Sequence, residues 1–168
     1  MQIDTESLLI PLGRNFGVIQ AQTKGITHEQ SLLQPAVRGN CMNWVVGHLV
    51  EHRDRMLRVV GEPTFLKPEE VKRYERDSPP VVDDSDAFRF EMLMGTLPQQ
   101  HERLAGWLKA ATPEAIDAIG PEIIEGVKDW TRAQWLHFLI WHETYHLGNL
   151  ELLRLDLADR PGDPYVLY

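Results

Sequence analysis

The sequence predicts an all-α protein, a four-helix bundle with a long crossover connection, and three observations carry that prediction. Four stretches, near residues 4–24, 40–60, 84–110 and 131–158, repeat apolar residues at steps of three and four, the period of a helix with one buried face. Capping and stop signals flank these stretches. No strand-and-turn pattern stands out to compete with them. A chain of 168 residues can bury one sizeable core and is short for two, so residues 1–168 are read as a single domain.

In the first stretch Leu8, Leu9, Leu12, Phe16 and Ile19 form the stripe, weakened by Pro11, Gly13 and Gly17, and Gly25 is the stop. Thr27 and Gln30 then have capping-box spacing for a short helix closed by Pro35, with His28 expected in solvent. Asn40 is the expected N-cap of the second long helix, which ends at Gly61-Glu62-Pro63. Val45, His48, Leu49, His52, Met56, Val59 and Val60 share its apolar face. Glu51, Arg53, Asp54, Arg55 and Arg58 read as solvated positions.

Residues 61–84 contain four prolines and form a long connection, with one helical turn expected at Pro68–Val71. A connection of this length permits a crossover and is of the kind that packs over a site. Asp83, Asp84 or Ser85 is the expected cap of the third helix, whose stripe is Phe90, Leu93, Leu97, Leu104 and Leu108, with His101 at the core or rim. Pro98 should bend or interrupt it. Thr112-Pro113 starts a short helix. The fourth long helix has the clearest start: Thr131 with Gln134 as a capping box, and Trp130 with Trp135 as a hydrophobic staple. The tail from Asp163 to Tyr168 is expected to be extended.

Seventeen basic residues against twenty-five acidic ones leave a formal charge of −8, which argues against a nucleic-acid partner. Cys41 is the only cysteine, so no intrachain disulfide forms and a reducing compartment is expected. The first residues lack the basic start and apolar run of a signal peptide, and no apolar stretch reaches the roughly 18–20 residues that span a bilayer. A cytoplasmic protein without a membrane partner is the expectation.

Chemistry concentrates in two H-x-x-x-H pairs, His48/His52 and His142/His146, each within an apolar stripe. Residues four apart on a helix lie on one face, about 6 Å apart along the axis, so both imidazoles can reach one ion. The same spacing also suits two core histidines hydrogen-bonded within the protein. Helix bundles build metal sites from side chains on facing helices. Residues 142–146 also spell H-E-x-x-H, with Glu143 as the would-be general base of a zinc protease. The longer metzincin pattern fails: Gly148 is one residue early, and Leu152 stands where a third histidine is required.

Asn43-Trp44-Val45-Val46-Gly47-His48-Leu49, together with His142-Glu143-Thr144-Tyr145-His146-Leu147-Gly148-Asn149-Leu150, resembles the DinB/YfiT-like superfamily. Its members carry W-x-x-x-H-L on the second helix and an H-x-x-x-H-x-G-Q-like segment on the fourth, and the resemblance covers nearly the whole chain. It implies a DinB-like four-helix bundle in which His48, His142 and His146 hold a divalent metal. It also implies a homodimer and metal-dependent transfer of a low-molecular-weight thiol to an electrophilic small molecule. Asn149 replaces the common glutamine. His52 and Glu143 are not fixed parts of the pattern: His52 is expected beside the metal without binding it, and Glu143 in solvent or within reach of metal-bound water. Three histidines suit zinc or nickel foremost, then iron, manganese or cobalt, and leave positions for a ligand. The alternatives are a metal-dependent hydrolase and a non-catalytic, metal-stabilised binding or stress-response module; the ligands alone do not choose.

Overall fold

The computed structural model describes residues 4–36 and 38–157. Among them are four long helices, α1 (Thr5–Thr23), α3 (Met42–Val60), α5 (Phe90–Ala110) and α7 (Arg132–Leu157). Three short ones, α2 (His28–Ser31), α4 (Pro68–Val71) and α6 (Pro113–Asp117), lie in the connections. The described residues form no strand beyond one antiparallel bridge between Ile119 and Thr131. No described helix is long and apolar enough to cross a membrane. The expected extended tail at 163–168 lies outside the described residues.

Several starts are set as the sequence suggests. Asp4 accepts from the Ser7 amide at 2.7 Å, and Thr27 and Gln30 close a capping box. Thr131 and Gln134 close another, with the Trp130 and Trp135 rings 4.7 Å apart. Gly61 ends α3 at φ 81°, left-handed backbone that glycine adopts without a Cβ clash, and the Glu62 amide folds back to the Leu57 carbonyl. Pro98 does not interrupt α5; beside it the Gln99 side chain donates to the Gly95 carbonyl.

Other starts are tertiary. Cys41, not Asn40, occupies the α3 N-cap position, without a side-chain cap. The third long helix begins at Phe90, well after Asp83–Ser85, because its first amide donates to His28 Nδ1 at 3.1 Å. His28 is buried, not solvated, and its Nε2 lies 2.6 Å from Asp84 Oδ1. A carboxylate only accepts, so Nε2 carries the proton and Nδ1 is left to cap the helix.

α1 and α3 each pack against both α5 and α7, which places α1 opposite α3 and α5 opposite α7. The chain therefore crosses the bundle between α1 and α3 and again between α5 and α7. The long connection after α3 joins neighbours and is free to fold over α3 itself. It does so through Asp54, whose carboxylate accepts from the Phe65 and Leu66 amides and from Gln100 Nε2.

As a result, only Arg55 and Arg58 of α3 escape burial. The reading of Glu51, Arg53 and Asp54 as solvated is overturned. Periodicity found the apolar face, but α5, α7 and the connection cover the others. Two apolar clusters fill the bundle, one around Leu49, Leu93 and Leu150, the other around Met56, Leu104 and Leu136. Between them each long helix contributes polar residues: Asn15 from α1, Glu51–Asp54 from α3, Gln100 and His101 from α5, and His142, Glu143 and His146 from α7. This polar waist holds the candidate site.

Candidate metal centre

His48 is presented from α3 and His142 and His146 from α7. Their Nε2 atoms converge: His146 lies 2.9 Å and His48 3.3 Å from His142, and ligand atoms of all three fall within 4.8 Å of one another. An ion bound at about 2.0–2.1 Å, with angles of about 90–109°, holds its nitrogens about 2.9–3.4 Å apart. The two direct separations match that range.

The His48 tautomer agrees with the distances. His48 Nδ1 lies 2.6 Å from the Tyr74 carbonyl oxygen, so it must donate, and its Nε2 turns a lone pair to the centre. The Asn149 amide nitrogen stands 3.2 Å from His146 Nδ1; with that amide turned over, its oxygen accepts from Nδ1–H and leaves the His146 Nε2 lone pair for a metal. Three neutral imidazoles can turn their Nε2 lone pairs to one shared cation, which satisfies all three. The donor set therefore fits a divalent metal.

Burial pushes His48 down to about 4 and His146 down to about 3, and lowers His142 as well. All three are thus neutral near pH 7, the form that ligates a metal.

The position of His48 is set by Trp44, already part of the motif segment, and by Tyr74, which sequence reasoning did not connect with it. Trp44, one turn earlier, stacks on its ring at 4.9 Å and donates from Nε1 to Ser78 Oγ at 2.9 Å. Tyr74 lies across Gly47 so closely that a Cβ there would meet its ring at 2.2 Å. The Tyr74 hydroxyl donates to Asn43 Oδ1 and accepts from the Phe88 amide. Glycine is needed at position 47 so that this strap can bring its carbonyl to His48. The glycine and tyrosine were visible in the sequence; their contact was not.

His52 stacks on His142 at 4.1 Å and meets the His48 ring edge-on at 4.4 Å. It lines the cleft, and burial holds it well below the usual histidine range. A second group of three donors, His48, Glu51 and His52, brings its ligand atoms within 4.8 Å, and there Glu51 Oε1 is engaged by Arg55.

Glu143 is neither solvated nor turned to the centre. Fully buried, it accepts from Arg53 Nε at 2.7 Å and from Arg53 Nη2 at 3.0 Å. Both its oxygens are engaged by a guanidinium, which removes it as a general base. His101 stacks on Phe16 at 4.3 Å, and His137 is exposed.

The triad opens onto a cleft of about 740 Å³. Trp44, Phe138, Leu139, Ile123 and Ile124 supply apolar wall, and Arg55 and Arg76 supply positive charge. Two connections reach this cleft, the strap through Arg76, Asp77 and Ser78 and the segment from α6 to α7 through Ile123–Glu125. Cys41 lies away from it, buried, with its thiol pushed up by burial, and is no candidate nucleophile.

No protein of curated function matches the sequence. Residues 15–150 match the family model of the DinB superfamily, a span that takes in all four long helices in whole or in part and every residue of the triad. With the four-helix architecture and the histidine arrangement in agreement, the chain belongs to the DinB superfamily.

Proposed function

We propose that His48, His142 and His146 hold a divalent metal through their Nε2 atoms, and that the protein transfers a low-molecular-weight thiol to an electrophilic small molecule. The observation that carries this reading is three convergent Nε2 atoms at the floor of an open cleft. A bound divalent ion supplies Lewis acidity, lowering the pKa of a thiol or water that reaches it. In the transfer, a sulfur–carbon bond forms and the thiol proton leaves to solvent through the cleft. The group displaced from carbon departs with its electron pair.

The chain's own residues orient and enclose. Trp44 and Tyr74 hold His48 in place, and the apolar wall at Phe138, Leu139 and Ile124 accommodates the carbon skeleton of the electrophile. Hydrolysis of the zinc-protease kind loses support, because Glu143 is committed to Arg53. Trp141, Tyr145, Leu152 and Leu155 lie exposed along α7 and support a homodimer, which sedimentation analysis tests.

The test is metal analysis of protein purified without chelator or histidine tag, followed by thiol consumption with an electrophile, with and without metal. Metal-dependent consumption is expected. Ester turnover without thiol would put the hydrolase first, and a metal-loaded protein that does neither would favour the non-catalytic module.

A further inference from the structure

Arg55 differs from an ordinary surface arginine. Its Nε donates to the Glu51 carboxylate one turn back, and that carboxylate side chain is only 3 % exposed, against 21 % for Arg55. Burial, opposed by Arg55, leaves Glu51 raised to about 7, and the two form a partly buried unit. Glu51 is the only hydrogen-bond partner of Arg55 among the described residues. The guanidinium is held by one nitrogen, and its two terminal nitrogens remain available where it borders the cleft. It lines the same cleft as His48, His142 and His146, which places it beside the triad.

Arg76 borders the same cleft from the strap, with its side chain 88 % exposed and a loose pair to Asp77 at 3.6 Å. Asp77 and Glu125 also border the cleft, so its overall charge does not select an anion. What selects one is the anchored fork of Arg55. Two parallel N–H groups match a carboxylate, and a neutral ligand that covered them would leave them unpaired.

We propose that Arg55, assisted by Arg76, binds a carboxylate on the small molecule that reacts at the triad, so that the protein acts on carboxylate-bearing substrates. The inference rests on the metal-centre reading above. It makes Arg55 a specificity determinant, with Glu51 as the residue that positions it.

The test uses the full chain loaded with Co(II), titrated with 3-mercaptopropionate and, separately, with the uncharged 3-mercapto-1-propanol. The sulfur-to-cobalt absorption band reports binding. The acid should bind about tenfold tighter or more, the size of a charge-assisted hydrogen bond. Arg55→Met should bring the two affinities together, and Arg55→Lys, which keeps a cation for Glu51, should retain part of the preference. Arg76→Ala should cost roughly two- to threefold, as an exposed pair would. Equal affinities in the unaltered protein, or a preference unchanged in both Arg55 variants, overturn the proposal.

Propionate at matched ionic strength supplies a readout independent of thiol binding. It should raise the thermal midpoint of the metal-loaded protein but not of Arg55→Met, and no rise in the unaltered protein also overturns the proposal. If neither thiol perturbs the cobalt spectrum while propionate still discriminates, the thiol reading fails and the carboxylate site stands.

Discussion

The polar waist has two halves built from the same two helices, and they are finished in opposite ways. On one side His48, His142 and His146 meet at Nε2 beside an open cleft, with no charged side chain closing the group. On the other side Arg53, five residues after His48, and Glu143, one after His142, pair through two hydrogen bonds with neither exposed, leaving only Arg53 Nη1 of the pair without a partner. A step of one residue turns about 100° round a helix, enough to move from the open cleft to the closed interior. Beside Glu143, at the rim, the Thr144 hydroxyl accepts from Asn15 Nδ2 of α1 at 3.0 Å. The comparison teaches how to tell a site from a strut among buried polar groups. A strut closes its charges on itself, whereas a site brings potential ligand atoms together beside a cleft.

The largest effect should come from the strut. Glu143→Gln leaves Arg53 buried without its counter-charge and should cost about 3–5 kcal/mol of stability, read by chemical denaturation of the metal-free protein. Folded protein should still bind metal. Replacing both partners by apolar residues should recover most of the loss. If Glu143→Gln instead abolishes metal binding while stability is kept, Glu143 belongs to the site and the two halves are not distinct.

The triad should show the reverse pattern. Alanine at His48, His142 or His146 should lower metal affinity by roughly 100-fold or more, beyond the range for residues that only orient ligands. Stability of the metal-free protein should change little, since each truncation also removes a buried imidazole that lacks a full set of partners. Inductively coupled plasma analysis after dialysis, with a thermal melt alongside, separates the two quantities. His52→Ala should keep its metal; loss there would make His52 a fourth ligand and favour a closed, structural site.

Gly47→Ala probes the link between packing and site. A Cβ at that position must displace the Tyr74 ring, costing about 1–3 kcal/mol as overpacking does. It should also reduce metal affinity by about 10- to 100-fold, because the carbonyl that orients His48 moves with the ring. Unchanged metal affinity would show that the strap is packing alone. The smallest effect is expected at His137, which is exposed on α7: alanine there should stay within about 0.5 kcal/mol and leave metal content untouched.

Local signals in the chain already determined a good deal: four helices, two capping boxes, the Trp130–Trp135 staple and the two histidine pairs within their stripes. These are written within a few residues of one another, and the helical period carries them. The motif segments also pointed to the family and to His48, His142 and His146 as the residues to watch.

Tertiary structure alone decided the rest. Arg53 and Asp54 look solvated in a linear reading because charge on a helix usually is, yet their partners Glu143 and Phe65–Leu66 are supplied by another helix and a connection. The partners of His28 lie 56 and 62 residues away, so no local pattern could show that this imidazole caps α5. Gly47 and Tyr74 became a pair only when the connection folded back across α3. The fates of His142 and Glu143 were likewise settled by the bundle, because neighbours in sequence face different neighbours in space. Helical period tells which residues share a face, but the packing of that face decides whether a polar group meets an open cleft or an opposing charge.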